Sequence, residues 1–140
     1  SPLVLAQTAT DPMSGAPFVI DPSKPPNGMQ VVKLFIQNAS SPLSGSGCMS
    51  TPEMDARLTL GDRLAAVLGD EVSKQHKGVI HISCISDETE AIPGRLVDAW
   101  ACTIKMEEVD EHGEYIADAS VRAHFTKDTW SFVPGTVLCW

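Results

Sequence analysis

Residues 94–126, GRLVDAWACTIKMEEVDEHGEYIADASVRAHFT, decide how the chain folds. In the first half the even positions are Leu96, Asp98, Trp100, Cys102, Ile104 and Met106. In the second half the odd positions are Tyr115, Ala117, Ala119, Val121, Ala123 and Phe125. The stretch between, Val109-Asp110-Glu111-His112-Gly113, is turn-like. Period-two alternation over two arms joined by a Gly-containing loop predicts one long antiparallel hairpin over 94–126. Asp98 interrupts the apolar face of the first arm, and this pairing sets it near Ala123. A carboxylate inside a core needs a partner or a raised pKa, which is how general acids are made; at the end of a sheet it simply reaches solvent. Asp118, Arg122 and His124 share the other face of the second arm, as the lining of a polar groove or as a solvated face.

Upstream, Val79 to Ser86 reads as a strand with Ile80, Ile82 and Cys84 on one face. Asp87-Glu88-Thr89-Glu90 is then an acidic loop, and Pro93-Gly94 turns the chain into the hairpin. Leu60, Leu64, Leu68 and Val72 recur every four residues, which predicts one covering helix at about 54–75. Its start is capped from Ser50 with Glu53, or from Thr51 with Pro52 at the first helical position. Gly61 and Gly69 each cost about 1 kcal/mol in a helix interior, so a break followed by a helix over 61–75 is the other arrangement. Met29 to Gln37 is apolar on both faces and reads as a strand covered on both sides. Asn38 to Ser50 is a loop.

Six of the ten prolines (Pro2, Pro12, Pro17, Pro22, Pro25 and Pro26) fall within residues 1–30. Proline cannot donate to a ladder, so this part is expected to be an extended arm on a single domain spanning 31–140. After the hairpin, Trp130, Phe132 and Val133 form a short strand. Val137-Leu138-Cys139-Trp140 is apolar and is expected to dock in a groove or on a neighbour. The fold class expected is therefore α+β: a mainly antiparallel sheet or small sandwich with one helix on one face.

The chain has 140 residues and a net charge of −8, with 18 acids against 10 bases. That balance argues against nucleic acid as the main partner, since phosphate binding needs clustered Lys and Arg. It disfavours anionic membrane surfaces for the same reason. No apolar run approaches the roughly 18 residues of a membrane span. Ser1-Pro2-Leu3-Val4-Leu5 lacks a basic segment before its apolar residues, so an intact signal peptide is not expected there; removal of an initiator Met or of a longer leader accounts for it equally well. Cys48, Cys84, Cys102 and Cys139 form no C-x-x-C pair. Free thiols in a reducing environment are expected, although two disulfides would be consistent with an oxidising one.

No residue set commits to catalysis. Cys48 follows Ser44-Gly45-Ser46-Gly47 and precedes a helix start, where a thiol is acidified. His76, His81 or His124 would supply its base, but the local sequence matches no nucleophile motif. The four histidines lack metal-ligand spacing. Asp87, Glu88 and Glu90 lie in no calcium-loop motif. No P-loop or dinucleotide fingerprint is present. No metal, cofactor or catalytic residue is therefore assigned.

The order strand, loop, helix, strand and long hairpin, carried by Leu60 to Val72, Val79 to Ser86 and residues 94–126, is similar to tail-tube and related self-assembling subunits of tailed bacterial viruses. Asp110-Glu111-His112-Gly113-Glu114-Tyr115-Ile116-Ala117 resembles the last turn and strand, D-x-x-G-x-x-x-A, of hotdog thioesterases and dehydratases. The chain departs from that second family by one strand and by the lack of a catalytic acid on the helix. The first resemblance implies a non-enzymatic structural subunit that assembles with its own kind, in a virion or the cytoplasm. Its neighbours would be contacted through Leu3, Val4, Leu5, Phe18, Val19, Ile20, Trp130, Leu138 and Trp140. The alternatives are a small hotdog-like enzyme acting on acyl thioesters and an acidic inhibitor or immunity-type binding protein.

Overall fold

A computed structural model describes residues 8–43, 48, 57–69 and 77–139. Its elements are β1 (Thr8–Thr10), β2 (Pro17–Val19), α1 (Gly28–Gln37), α2 (Leu60–Gly69), β3 (Lys77–Ile92), β4 (Arg95–Val109), β5 (Tyr115–Thr126) and β6 (Leu138–Cys139). The fold is mixed α+β and mainly sheet. One four-stranded antiparallel sheet runs in the order β3-β4-β5-β6, and β1 pairs with β2 in a separate ribbon.

The inner face of the sheet is apolar at its centre, and on the outer face Ala99, Ala101, Ser120 and His124 are buried as well. Trp100 faces Phe125, Cys102 faces Ala123, and Ile104 faces Val121. All six are buried. The register is offset from the expected one: Asp98 lies beyond the last pair, Ala99 with Thr126, and its carbonyl accepts from the Lys127 amide at 3.1 Å. Two local features set this offset. The five residues from Asp110 to Glu114 form the loop, closed by Asp110 N–H to the Glu114 carbonyl at 2.8 Å. A register shift also falls between Glu108 and Val109.

Among the described residues two helices, rather than one, pack against the inner face. Residues 29–37 form α1, not a strand, and the expected boundary between 30 and 31 falls inside it. The apolar run is a helical stripe: Val31, Leu34 and Phe35 are buried, whereas Ile36 is 52% exposed. The start is a capping box, in which Asn27 Oδ1 accepts from the Gln30 amide and Gln30 Oε1 from the Asn27 amide, both at 2.9 Å. Phe35 stacks tilted on Phe125 with ring centroids 5.7 Å apart.

In α2 the buried residues are Leu60, Leu64 and Val67. Its described start is capped by Thr59 and Asp62, which bond each other's backbone amides at 3.2 and 2.8 Å. The expected caps at Ser50 or Thr51, and the ends of the 54–75 span, lie outside the described residues. Gly61 is in the helix because α2 begins against the preceding loop. A Cβ there would lie 2.9 Å from Ala39 Cβ and 3.0 Å from its carbonyl oxygen.

The acidic segment Asp87 to Glu90 is not a loop. It continues β3, which reaches Ile92 and turns through Pro93-Gly94, with Gly94 at φ +80°. The segment before α1 packs on the body: Ile20 is 4% exposed and belongs to the core, and Phe18 lies against Trp130 with ring centroids 5.1 Å apart. Trp130 holds a left-handed φ of +54°, a conformation that costs a non-glycine residue roughly 1–2 kcal/mol. Burial of its ring offsets that cost.

Gly61→Ala is expected to destabilise the protein by about 1–3 kcal/mol, because the clash with Ala39 outweighs the gain in helix propensity. Urea unfolding measures it, and a more stable variant would contradict this account of the α1–α2 junction.

Candidate functional site

Two surfaces of the sheet carry the chemistry: its outer face and the open edge of β3. On the outer face the odd residues of β3 and β4 and the even residues of β5 stand together. At one end they form a charged network. Lys105 Nζ lies 3.1 Å from Glu107 and 3.5 Å from Asp118, and His81 Nε2 lies 3.3 Å from Glu107. The hydrogen bond from Lys105 holds the Glu107 carboxyl below its usual pKa, and Glu107 in turn raises that of Lys105. These side chains are about one-third exposed or more, so each pair contributes little to stability.

At the other end His124 is 6% exposed and its Nε2 lies 2.9 Å from Asp87 Oδ2, spanning the alanines of β4. A carboxylate only accepts, so Nε2 carries the hydrogen. The bond from His124, followed by the backbone N–H of Glu88 on Oδ1, lowers the Asp87 pKa. Arg122 Nε donates to Thr103 Oγ1 at 3.1 Å beside them. Asp118, Arg122 and His124 thus share a face with Asp87, which the sequence reading had placed in a loop.

The other candidates separate. Cys48 is bonded to Cys139, and Cys84 to Cys102, so the expectation of free thiols is overturned. A disulfide sulfur is neither a thiolate nor a nucleophile, and Cys48 carries no catalytic role in this state. Cys84 and Cys102 are register partners on adjacent strands, and Cys139 opposes Val121 on the inner face, which turns it toward Cys48. His76 lies outside the described residues. Asp98 is exposed and lines an open cleft of about 560 Å³ with Pro22, Ser23, Val97, Thr126, Lys127 and Asp128. Lys127 Nζ there sits 4.5 Å from the Trp100 ring centroid and donates to Ser86 Oγ. Among the described residues, no three His, Cys, Asp or Glu side chains gather into a metal site.

Of the residues expected to contact neighbours, Leu3, Val4, Leu5 and Trp140 lie outside the described set. Phe18, Ile20 and Trp130 pack within the chain's own core, whereas Val19 is 61% and Leu138 43% exposed.

The sequence reading missed the edge of β3. β6 is a two-residue strand on the far side of the sheet, but β3 runs for 16 residues, and among the described residues no strand pairs with its outer side. Val79, Ile80 and Ile85 are 43, 48 and 54% exposed along it. The signal was present in the two-residue turn Pro93-Gly94, which demands a strand on each side up to its borders.

No family model matches the chain, and neither the curated proteins nor the solved structures compared with it give a match. Among the described residues no helix is long and apolar enough to cross a membrane.

Two outcomes follow. Because its folded pKa is lowered, Asp87 stabilises the native state above the ordinary carboxylate range of about pH 4. That contribution is lost as pH falls through the lowered folded value, and Asp87→Asn is expected to flatten this part of the acid limb of urea-measured stability. Replacing Cys48 and Cys139 together by serine opens a loop of 91 residues in sequence, and is expected to cost about 4.6 kcal/mol on the chain-entropy argument. Unchanged urea stability would show that this bridge does not constrain the unfolded chain.

Proposed function

We propose that the chain is a non-enzymatic structural subunit that assembles with copies of itself, of the kind that builds viral particles. The observation that carries this reading is the 16-residue β3, whose outer edge pairs with no strand among the described residues and along which Val79, Ile80 and Ile85 are exposed. A long edge with unpaired backbone groups is a template for another strand, and here its first part is apolar at Val79, Ile80 and Ile85 while Asp87, Glu88 and Glu90 charge the second. Val19 and Leu138 offer further apolar contact surface. Two disulfides add to this reading, since such bonds persist in oxidising surroundings. They favour a particle exposed to the outside over the reducing cytoplasm.

The layout shared with tail-tube subunits begins at α2, because the segment expected to be its first strand is α1. The viral reading is therefore supported by the exposed β3 edge and the two disulfides more than by layout. The long hairpin of β4 and β5 would act as the rigid body of the subunit, braced by the two helices.

A second reading is favoured by the cleft at Asp98. It presents a carboxylate and the Lys127 ammonium beside apolar Val97 and Pro22, a lining that suits a small polar ligand. This is the form an acyl-thioester enzyme would take here.

Light scattering and native mass measurement over a range of concentrations separate the two. Assembly beyond the monomer is expected. A chain that remains monomeric at high concentration would refute the structural-subunit reading, and loss of a measured thioesterase activity in Asp98→Asn would favour the second.

A further inference from the structure

We infer that β3 pairs antiparallel with β3 of a second copy, about a two-fold axis passing through Ile82 perpendicular to the sheet. This inference rests on the self-associating reading and specifies its interface.

The backbone parity comes from the cross-strand bridge. Cys84 and Cys102 are directly opposite, with Cα atoms 4.0 Å apart. Opposed residues in antiparallel strands stand about 5.5 Å apart when they exchange backbone hydrogen bonds and about 4.5 Å when they do not. Cys84 and Cys102 are thus a non-bonded pair, and the Cys84 N–H and C=O point away from β4. By alternation so do those of Ile80, Ile82 and Ser86. The amide of Glu88, of the same parity, accordingly donates to Asp87 Oδ1 at 2.8 Å rather than to β4. Residues 78–81, 83 and 85–88 are exposed and Ile82 and Cys84 half-buried, so this edge is open to an incoming strand.

The side chains fix the partner as a second copy. Antiparallel pairing centred on Ile82 bonds Ile82 to its own equivalent, Ile80 to Cys84 of the partner subunit, and Gly78 to Ser86 of the partner subunit. All of these are even residues whose backbone groups face outward. On the outer face the same register sets Val79 opposite Ile85 of the partner subunit and His81 opposite Ser83 of the partner subunit. Exposed apolar residues therefore meet apolar residues, twice over by symmetry. Moving the register by one two-residue step sets Val79 against Asp87 or against Ser83 and loses the match. Parallel pairing would stack Asp87, Glu88 and Glu90 on the same acids. The strand is complementary to itself in one orientation and one register, which a surface shaped for an unrelated peptide has no reason to be. The dimer would be a continuous sheet with β3 and its copy at the centre.

The test is a cysteine pair. Val79→Cys combined with Ile85→Cys places thiols opposite each other across the axis, in a non-bonded pair close enough to bridge. Within one chain these positions lie roughly 20 Å apart along the strand, at about 3.4 Å per residue, so no internal bridge forms. A covalent dimer on non-reducing electrophoresis is expected, with the two native disulfides confirmed by peptide mapping. Val79→Cys combined with Ser83→Cys is expected to give far less. As a variant without new thiols, Ile85→Lys is expected to lose the dimer from the native mass distribution while keeping its far-ultraviolet circular dichroism. If wild type assembles but Val79→Cys/Ile85→Cys does not cross-link, or Ile85→Lys stays dimeric, the β3 pairing is overturned and self-association stands. If wild type is monomeric, both fall.

Discussion

The structure depends on burial of the large apolar side chains on one face of β4. Trp100, Cys102, Ile104 and Met106 face the same way from this central strand, and each is 9% exposed or less. Burying an apolar side chain of this size contributes roughly 1.5–3 kcal/mol, so the face must be covered. α1 and α2 cover it, with Phe35 on Phe125 and the α2 stripe of Leu60, Leu64 and Val67 within the same core. Gly61 lets α2 begin against Ala39, and Gly78 makes room for the Met106 sulfur, which a Cβ there would meet at 2.6 Å. Gly61, which counts against a helix in the sequence, stands where neighbouring parts come close.

Burial of that face has consequences on the opposite one. There the sheet carries His81, Lys105, Glu107, Asp118, Arg122 and His124, side chains that pair laterally across strands. Ala99 and Ala101 are too small to project above the central strand, and His124 reaches Asp87 over them. The two described helices lie against the inner face, and among the described residues no strand pairs with the edge of β3. The disulfides work at the same places: Cys84–Cys102 ties this edge strand to the centre, and Cys48–Cys139 ties the far edge to the loop before α2. A sheet braced at both edges tolerates an open backbone on one of them without fraying.

Much of the fold is legible in the chain, and the exceptions have physical causes. The face assignments of Trp100, Cys102, Ile104, Val121, Ala123 and Phe125 follow from period-two alternation, which the pleat imposes locally. Residues 29–37 misled because Val31-Val32-Lys33-Leu34-Phe35-Ile36 is apolar and partly β-branched. The deciding signal was the Asn27/Gln30 capping box, not the run itself. Asp87 to Glu90 misled because acids are poor strand formers, yet pairing with β4 holds them extended. Of the candidate site, Asp118, Arg122 and His124 could be placed on one face from the sequence, but their partner Asp87 could not.

The sequence by itself determined which residues share a face of β4 and β5, and that Leu60, Leu64 and Leu68 recur at helical spacing. These are properties of spacing, set by the local geometry of strand and helix. Only the tertiary structure decided the cysteine pairing, the register that carries Asp98 past the last strand pair, and the position of β3 at the edge of the sheet. Each joins residues far apart in the chain. Such contacts are chosen by the packing of whole elements, which the local pattern of apolar and polar residues does not encode.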